Sequence, residues 1–314
     1  MKIVFMGTPD YAAGALEAII AAGHEVTAVV CQPDKPKGRS GALSACPVKE
    51  CALRHAIPVL QPARIRRPEA VEELRQYPAD VFVVAAFGQI LSQEILDMPR
   101  LGCINIHASL LPKYRGAAPI QWCIVDGETE SGVTIMQMDA GIDTGDILLS
   151  RRVEITAEET GGSLFEKLSK TGAELIVEAL PLIAAGKLTP VKQKEEESNY
   201  ARMLKKEDGR IDWQKTAEQI ARLVRGMDPW PSAYTSCRGK QLKIWKARAL
   251  PVSGEEDRAA SEAGSVAGTG KQSFTVACGS GLLEVLEVQL EGKKRMPSGD
   301  FLRGVSLEAG ERLG

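Results

Sequence analysis

The sequence predicts an α/β fold: a Rossmann-like domain with a mostly parallel sheet, followed by a small C-terminal antiparallel β-barrel that is OB-like. Three observations support this prediction. The chain has 314 residues, which is long enough for two domains. Apolar runs of strand length alternate with helical stretches over residues 1–155, as in proteins built from βαβ units. After Gly186 the pattern changes to short β-like runs separated by glycine-rich turns.

The elements of the N-terminal region begin with an apolar strand over Lys2–Met6. Pro9 suits the first turn of a helix, and the periodic stretch Ala12–Ala22 ends at Gly23. Asp80–Phe87 is nearly all apolar, which is typical of a strand buried on both faces of a parallel sheet. The other predicted elements, in chain order, are strand Glu25–Cys31, helix Pro47–Ala56, strand Pro58–Leu60, helix Pro68–Gln76, strand Gly102–His107, helix Ala118–Asp126, strand Gly132–Met138 and helix Thr160–Ala185.

The C-terminal region begins with a polar, acidic stretch, Lys192–Ser198, that is typical of a linker. Thr216–Arg225 is periodic and predicts a helix, and Gly254–Gly270 is rich in small and charged residues and predicts a loop. The predicted strands are Leu242–Ala249, Ser273–Cys278 and Leu282–Leu290. We therefore expect one domain over residues 1–189, a linker over 190–205 and a barrel domain over 206–314.

Composition and charge exclude several classes of protein. Hydrophobic residues make up 44% of the chain and charged residues 25%, which excludes an intrinsically disordered chain. No apolar run is long enough to span a membrane, and seven scattered cysteines without a CxxC pair favour a reducing, cytoplasmic setting. The net charge of −2 argues against indiscriminate nucleic-acid binding, yet Lys206–Arg248 holds ten basic and five acidic residues. A second basic segment, residues 34–39, is called the basic loop below; either segment could also be an ordinary solvated surface.

Motifs for common cofactors are missing from the chain. The turn after the first strand, Gly7–Gly14, lacks GxGxxG, and Pro9 removes a backbone N–H that a pyrophosphate would need. This weakens the hypothesis of an NAD enzyme, and no Walker A or GxSxG sequence occurs. Asp139–Asp146 lacks the spacing of a calcium loop, and three dispersed histidines argue against a zinc site. We therefore predict no metal.

A polar pair lies at the end of the predicted strand Gly102–His107. Side chains alternate along a strand, so Asn105 and His107 point to the same face at the carboxyl edge, where ligands bind in open α/β sheets. An amide can stabilise an oxyanion and an imidazole can transfer protons, which together suit acyl chemistry. Asp143 follows a later strand and could orient His107. The alternatives are a histidine that satisfies a buried hydrogen bond and an aspartate that caps a turn; Cys103 is expected to be a small buried apolar residue.

The segment around this pair resembles the folate-dependent formyltransferases. The resemblance extends over essentially the full chain to the branch of that family that formylates methionyl-tRNA. The segments that carry it are Met6–Pro9, Asn105-x-His107-x-Ser109-Leu110-Leu111-Pro112, Tyr114–Ile120, Asp143-Thr144-Gly145, Asp228–Pro231 and Gly292–Met296.

The resemblance implies a reaction and its participants. The α-amino group of methionine on initiator tRNA would attack the formyl carbon of 10-formyltetrahydrofolate, with Asn105, His107 and Asp143 as catalytic residues. The residues implied to contact the folate are Phe87, Gly88, Ile90, Ser109, Leu110, Leu111 and Pro112. The residues implied to contact tRNA are Lys35, Lys37, Arg39, Lys206, Lys240, Lys243 and Lys246. We expect a monomer without a membrane partner.

Other interpretations remain open. A formyltransferase that acts on an amino sugar would share the catalytic core. An enzyme acting on a purine-pathway amine, or a formyltetrahydrofolate hydrolase, would also share it, although the purine enzyme would not need the β-rich C-terminal region. A catalytically silent RNA-binding protein would retain tRNA without formyl transfer.

Overall fold

The computed structural model describes residues 1–37, 42–250 and 262–314. The chain forms two compact units. Unit 1 comprises Met1–Pro119, Glu130–Glu154 and Phe165–Ala201, and unit 2 comprises Ile120–Thr129, Ile155–Leu164 and Arg202–Gly314. The predicted boundaries at residues 189 and 205 stay predictions. No helix within the described ranges combines the length and the apolar character that crossing a bilayer requires.

The elements up to residue 201 follow the predicted alternation closely. In chain order they are β1 (Lys2–Gly7), α1 (Asp10–Ala21), β2 (Glu25–Val30), β3 (Lys35–Lys37), β4 (Ala42–Ser44), α2 (Pro47–Arg54), β5 (Val59–Leu60), α3 (Pro68–Arg75), β6 (Val81–Ala85), α4 (Gln93–Leu96), β7 (Cys103–His107), β8 (Arg115–Gly116), α5 (Pro119–Asp126), β9 (Glu130–Gln137), β10 (Ile147–Glu154), α6 (Gly161–Ala184) and β11 (Tyr200–Ala201). A short 3-10 helix covers Glu195–Glu197.

Unit 1 is built on a seven-stranded sheet with the order β10-β9-β7-β6-β1-β2-β5. The five strands from β7 to β5 run parallel, and β1 and β6 are buried almost throughout, as their apolar sequences predict. Gly7 ends β1 where the chain turns tightly into α1, because a Cβ there would lie 2.6 Å from the Cβ of Ala12. The Rossmann-like, mostly parallel sheet is therefore confirmed.

The edge of this sheet beyond β7 differs from the prediction. β9 pairs antiparallel with β7, with His107 opposite Thr134, whereas the alternating pattern predicts a parallel strand. The chain enters β9 at the carboxyl edge of the sheet, since no crossover returns it to the other edge first. β10 was not predicted; it pairs antiparallel with β9 and carries exposed polar residues, as edge strands often do.

The segment predicted as a linker is ordered up to residue 201 and belongs to unit 1. β11 pairs parallel with β8, and Val191 bridges Ile147 through two backbone hydrogen bonds of 2.8 and 2.9 Å. These contacts fix the backbone of residues 191–201 against the loops at the carboxyl edge of the sheet.

Unit 2 contains an antiparallel sheet and an amphipathic helix of ten residues. Its elements from residue 202 are a 3-10 helix (Lys206–Gly209), α7 (Ala217–Gly226), β12 (Ala233–Cys237), β13 (Lys240–Ala249), β14 (Val266–Thr269), β15 (Phe274–Ala277), β16 (Leu282–Leu290), β17 (Met296–Pro297) and α8 (Ser298–Gly304). The strand order is β12-β13-β16-β15-β14, and β17 pairs with β16. The antiparallel sheet is confirmed; its closure into a barrel stays a prediction.

Two local features of unit 2 follow from side-chain chemistry. The hydroxyl of Thr216 accepts from the backbone N–H of Gln219, and the Gln219 side chain accepts from the backbone N–H of Thr216, a capping box that starts α7. The predicted loop Gly254–Gly270 is wrong in its last part, because β14 (Val266–Thr269) pairs with β15 there. Val266 is fully buried, so one apolar side chain packs into the core from a stretch whose other residues are mostly small or polar. Residues 254–261 lie outside the described residues.

Candidate active site

The carboxyl edge of β7 brings together the three side chains that the sequence singles out. Asn105 and His107 lie two residues apart on β7 and share one face. Asp143 lies in the loop between β9 and β10, with φ +54°, a left-handed conformation that aspartate tolerates better than most residues. The fold therefore places a residue 36–38 positions away in sequence beside the pair on β7.

The Asp143 carboxylate faces both side chains at once. Asn105 Nδ2 donates to Asp143 Oδ1 at 3.2 Å, and His107 Nδ1 lies 3.6 Å from Asp143 Oδ2. The side chains of His107 and Asp143 are 7% and 16% exposed, so their charges are only weakly screened by solvent. An amide, an imidazole and a carboxylate thus converge in a mostly buried site.

The second nitrogen of His107 fixes the orientation of the ring. Nε2 lies 2.9 Å from the carbonyl oxygen of Tyr114, which can only accept a hydrogen bond, so Nε2 carries a proton. The other ring nitrogen, Nδ1, therefore faces Asp143 Oδ2 at 3.6 Å.

Backbone and side-chain groups hold Asp143 in place. The backbone N–H of Gly116 donates to Asp143 Oδ2 at 2.9 Å. Gln193 Nε2 donates to the carbonyl oxygens of Asp143 and Gly145 at 2.8 and 2.7 Å, and Arg115 Nε donates to Gln193 Oε1 at 3.0 Å. These contacts determine both the position of the carboxylate and the left-handed turn that presents it.

None of the three supporting residues, Arg115, Gly116 and Gln193, was predicted as part of the site. Gly116 has φ +104°, and a Cβ there would lie 2.6 Å from the ring of Tyr200 and 2.8 Å from the carbonyl oxygen of Ala201. The segment Tyr114–Ile120 carries part of the family resemblance, and its glycine is the sequence signal for this contact. Gln193 lies in a polar stretch that was predicted to be a linker. Its neighbours in the sequence give no sign that it supports the site.

The predicted folate-contacting residues divide into exposed and buried groups. Gly88 and Ile90 are exposed in the loop after β6, where Ala86 and Gly88 both have positive φ. Phe87, Ser109 and Leu111 are buried, and Leu110 and Pro112 are half-buried.

The buried polar groups of the folate segment are satisfied internally. Ser109 Oγ donates to the carbonyl oxygen of Lys113 at 2.7 Å, and Thr134 Oγ1 joins the backbone carbonyl of Ser109 to the backbone N–H of Leu111. Ser109 therefore shapes the segment rather than offering its hydroxyl to solvent.

The predicted tRNA-contacting residues lie in both units. Lys35 is exposed in the hairpin of β3 and β4, Lys37 ends β3, and Arg39 lies outside the described residues. In unit 2, Lys206 is exposed on a 3-10 helix. β13 carries the other three: Lys240 and Lys246 are exposed, and half-buried Lys243 has its Nζ 5.4 Å from the centre of the Trp245 ring.

One group of potential metal ligands occurs within the described ranges, away from the three convergent side chains. Glu17, Cys51 and His55 place ligand atoms within 4.8 Å of one another, although the sequence pattern gave no hint that α1 and α2 would bring them together. His55 Nε2 lies 2.9 Å from Glu17 Oε2, and Arg54 also pairs with Glu17. Burial raises the pKa of the Cys51 thiol to about 12, which opposes the thiolate that a metal would bind. The absence of a metal stays a prediction.

Comparison with known proteins decides the family. The family model described as formyl transferase matches residues 1–180, and the model of its C-terminal domain matches residues 203–306. A protein named methionyl-tRNA formyltransferase from Lachnospira eligens is 58% identical over 314 residues and covers 100% of both chains. The chain belongs to the methionyl-tRNA formyltransferase family. A second relative of the same name, from Agathobacter rectalis, is 54% identical over 99% of this chain and 98% of its own.

Solved structures support the fold of this formyltransferase. The sugar 3N-formyltransferase WlaRD, determined in the presence of dTDP and 5-N-formyl-THF, superposes with a TM-score of 0.67 over 94% of this chain and 99% of its own. Its sequence is only 21% identical, so the likeness concerns the fold. The resemblance stated from the motifs is confirmed at the level of the family, and a protein without formyltransferase ancestry is excluded.

Proposed function

We propose that this enzyme transfers the formyl group of 10-formyltetrahydrofolate to the α-amino group of methionyl initiator tRNA, which supplies N-formylmethionyl-tRNA for translation initiation. The observation that carries the proposal is the convergence of Asn105, His107 and Asp143 on one site in a chain that is 58% identical to a named methionyl-tRNA formyltransferase. The folate acts as a co-substrate that supplies the formyl group.

Asn105 and His107 stabilise the negative charge that develops on the formyl oxygen during attack by the amine. The Asn105 amide has two N–H donors, and Asp143 takes one of them, so the other remains for the oxyanion. A bond forms between the amine nitrogen and the formyl carbon, the bond from that carbon to N10 breaks, and one proton passes from the amine to the leaving nitrogen. His107, oriented by Asp143, supports this proton movement.

The folate lies against the loop after β6 and the segment 109–112 in this proposal. Phe87, Gly88 and Ile90 follow β6, and Ser109–Pro112 follow β7, so both segments leave the same edge of a parallel sheet. The exposed backbone at Gly88 offers hydrogen-bonding groups without a side chain in the way. Ser109, Leu110, Leu111 and Pro112 form the facing wall.

The tRNA contacts in the proposal are electrostatic. Lys35, Lys37 and Arg39 of the basic loop would reach the acceptor end, and Lys206, Lys240, Lys243 and Lys246 would meet backbone phosphates. Such contacts weaken steeply as salt rises, because binding releases counterions from the RNA. A chain with a net charge of −2 can therefore hold tRNA only through local positive patches.

The decisive experiment compares acceptors in the presence of 10-formyltetrahydrofolate. Charged methionyl initiator tRNA is incubated with the enzyme beside a dTDP-linked amino sugar, and the formylated product is identified by mass spectrometry. The proposal expects formyl-methionine on the tRNA and none on the sugar. Formylation of the sugar alone would favour the amino-sugar enzyme, and retention of tRNA without any transfer would favour a silent RNA-binding protein.

The proposal also includes the setting and the state of the enzyme. None of the seven cysteines forms a disulfide within the described residues, which is consistent with a reducing cytoplasm. We further propose that it acts as a monomer. Light scattering after size exclusion should give the mass of one chain, and the mass of two chains would contradict this part.

A further inference from the structure

Unit 2 contains a cavity of about 460 Å³, and the proposed function uses only one of its lining residues, Lys246. It lies between helix α7, strand β13, the segment around Glu158 and the side chain of Arg295. We call it the α7 cavity. Its volume falls within the roughly 300–1,000 Å³ that is usual for small-molecule sites.

The α7 cavity carries more positive than negative side chains. Its lining residues include five cations and three carboxylates: Arg222, Arg225, Lys246, Arg248 and Arg295 against Glu158, Glu218 and Asp228. Three of the cations are paired. Lys246 Nζ lies 3.5 Å from Glu158, Arg248 Nε lies 2.5 Å from Glu284, and Arg295 lies 2.7 Å from Glu287 and 3.7 Å from Asp228.

The remaining two cations, Arg222 and Arg225, differ from these three. They lie three residues apart on α7 and therefore project from neighbouring positions on the helix. Among the described residues, no carboxylate oxygen comes within 4 Å of either guanidinium, although Glu218 and Glu158 also line the cavity. Arg225 Nη1 donates to the backbone carbonyl of Glu159 at 2.9 Å.

Burial makes these two charges costly. Arg222 Nε is buried and has no hydrogen-bond partner in the described part of the chain. Burial lowers the pKa of Arg225, and the neighbouring charge of Arg222 lowers it further, against the opposing effects of Glu158 and Glu159. Two adjacent, partly desolvated guanidinium groups repel each other, and an anion between them would relieve the repulsion.

Neighbouring residues fix the geometry of the cavity wall. A Cβ at Gly127 would lie 2.3 Å from Arg222 Nη1, so the guanidinium occupies space that only a glycine leaves open. The guanidinium of Arg295 lies 4.7 Å from the centre of the Trp245 ring, and Trp245 Nε1 donates to Gln289 at 3.2 Å. The cations are therefore held by packing rather than extended freely into solvent.

We infer that the α7 cavity binds the phosphate group of a nucleotide, either free or within tRNA, through Arg222 and Arg225. Planar guanidinium groups match pairs of phosphate oxygens, and the cavity is larger than a phosphate alone requires. Two sources offer this chemistry. The first source is a backbone phosphate of bound tRNA, and the inference then rests on the proposed function. The second source is a free nucleotide, and the inference then does not depend on the proposed function.

The test uses the full chain in three variants. R222Q/R225Q removes both charges, R222K/R225K keeps the charges and removes the planar forks, and K215Q/K271Q removes two charges from exposed lysines of unit 2 outside the cavity. Thermal unfolding reports whether each variant is folded. If the glutamine pair does not fold, the lysine pair carries the test, because it retains the charge balance.

Two probes distinguish the sources. Binding of uncharged initiator tRNA is measured from about 50 to 200 mM salt, where the loss of two phosphate contacts reduces the slope of log K against log salt by about 1 to 2. Binding of adenosine 5′-monophosphate is measured by titration calorimetry. Neither measurement requires formyl transfer, so failure of the proposed reaction would not affect the result.

Each outcome decides the inference. A smaller slope in R222Q/R225Q but not in K215Q/K271Q supports the tRNA source, and loss of adenosine monophosphate binding in the same variant supports the free nucleotide. The lysine pair should retain the slope but bind at least about threefold more weakly, since point charges replace bidentate forks. Unchanged binding of both probes by both arginine variants would overturn the inference.

Discussion

Replacing Asp143 by asparagine tests the central contact of the site with little change of shape. The carboxylate accepts from Asn105 Nδ2 through Oδ1 and from the backbone N–H of Gly116 through Oδ2. Asparagine tolerates the left-handed φ of this position as well as aspartate does. The substitution should therefore preserve the loop and remove only the charge and one acceptor.

The expected loss can be worked out from the distances. A protonated His107 lies 3.6 Å from Asp143 Oδ2, and unit charges at that separation attract by about 5 kcal/mol at an effective dielectric constant of about 20. In addition, the new NH2 group must face either Asn105 Nδ2 or the Gly116 N–H, both donors, which costs about 1–3 kcal/mol. The second cost is present with and without substrate, so it lowers the stability of the protein and not the rate. The lost attraction alone, about 5 kcal/mol, corresponds to a decrease of about 10³ to 10⁴-fold in rate.

The assay is single-turnover formyl transfer to methionyl initiator tRNA, with thermal unfolding of the same preparation. Asp139→Asn is the matched control. Asp139 lies in the same loop, is exposed, and caps a turn by accepting from the Gly141 N–H and the Thr144 hydroxyl. The control should retain nearly full activity. An Asp143→Asn enzyme within about threefold of the parent rate would refute the reasoning and leave Asp143 as a residue that merely caps a turn.

Three further variants extend the test. His107→Ala should abolish transfer while the protein stays folded, with His24→Ala as the control; near-normal turnover would remove the imidazole from the mechanism. Gln193→Ala removes the two bonds to the carbonyls of Asp143 and Gly145, so we expect about tenfold slower transfer and a free energy of unfolding lower by about 1–3 kcal/mol, read from kinetics and urea unfolding. An unchanged rate would show that the loop keeps its shape without the amide. Exchanging the three basic side chains of the basic loop for glutamine should raise KM for tRNA at about 150 mM salt and change kcat much less. An unchanged KM would place the RNA contact elsewhere.

Much of unit 1 could be predicted because its strands are buried on both faces. β1 and β6 are uninterrupted apolar runs, and such runs leave few alternatives. β10 escaped prediction because it is an edge strand. Four of its eight residues are polar, as is usual on a surface, and one of them, Arg151, pairs with Glu174 and Glu178 on α6. The antiparallel direction of β9 depends on the path of the chain between strands, which periodicity does not report.

The convergence of Asn105, His107 and Asp143 could be anticipated from strand parity and from the resemblance. The residues that support it could not. Gln193 acts through hydrogen bonds to backbone carbonyls about fifty positions away, and an amide in a polar stretch gives no sign of such a partner. The cluster of Glu17, Cys51 and His55 was missed for a similar reason, since it depends on how α1 packs against α2.

The position of residues 191–201 has a consequence for biosynthesis. A nascent chain that has emerged only as far as Gly186 contains Asn105, His107 and Asp143, yet it lacks Gln193 and the strand that flanks Gly116. Catalytic competence would then appear only after residue 201 has left the ribosome. A limited proteolytic cut near residue 190 should detach Gln193 and β11 from the loop that carries Asp143 and should slow transfer.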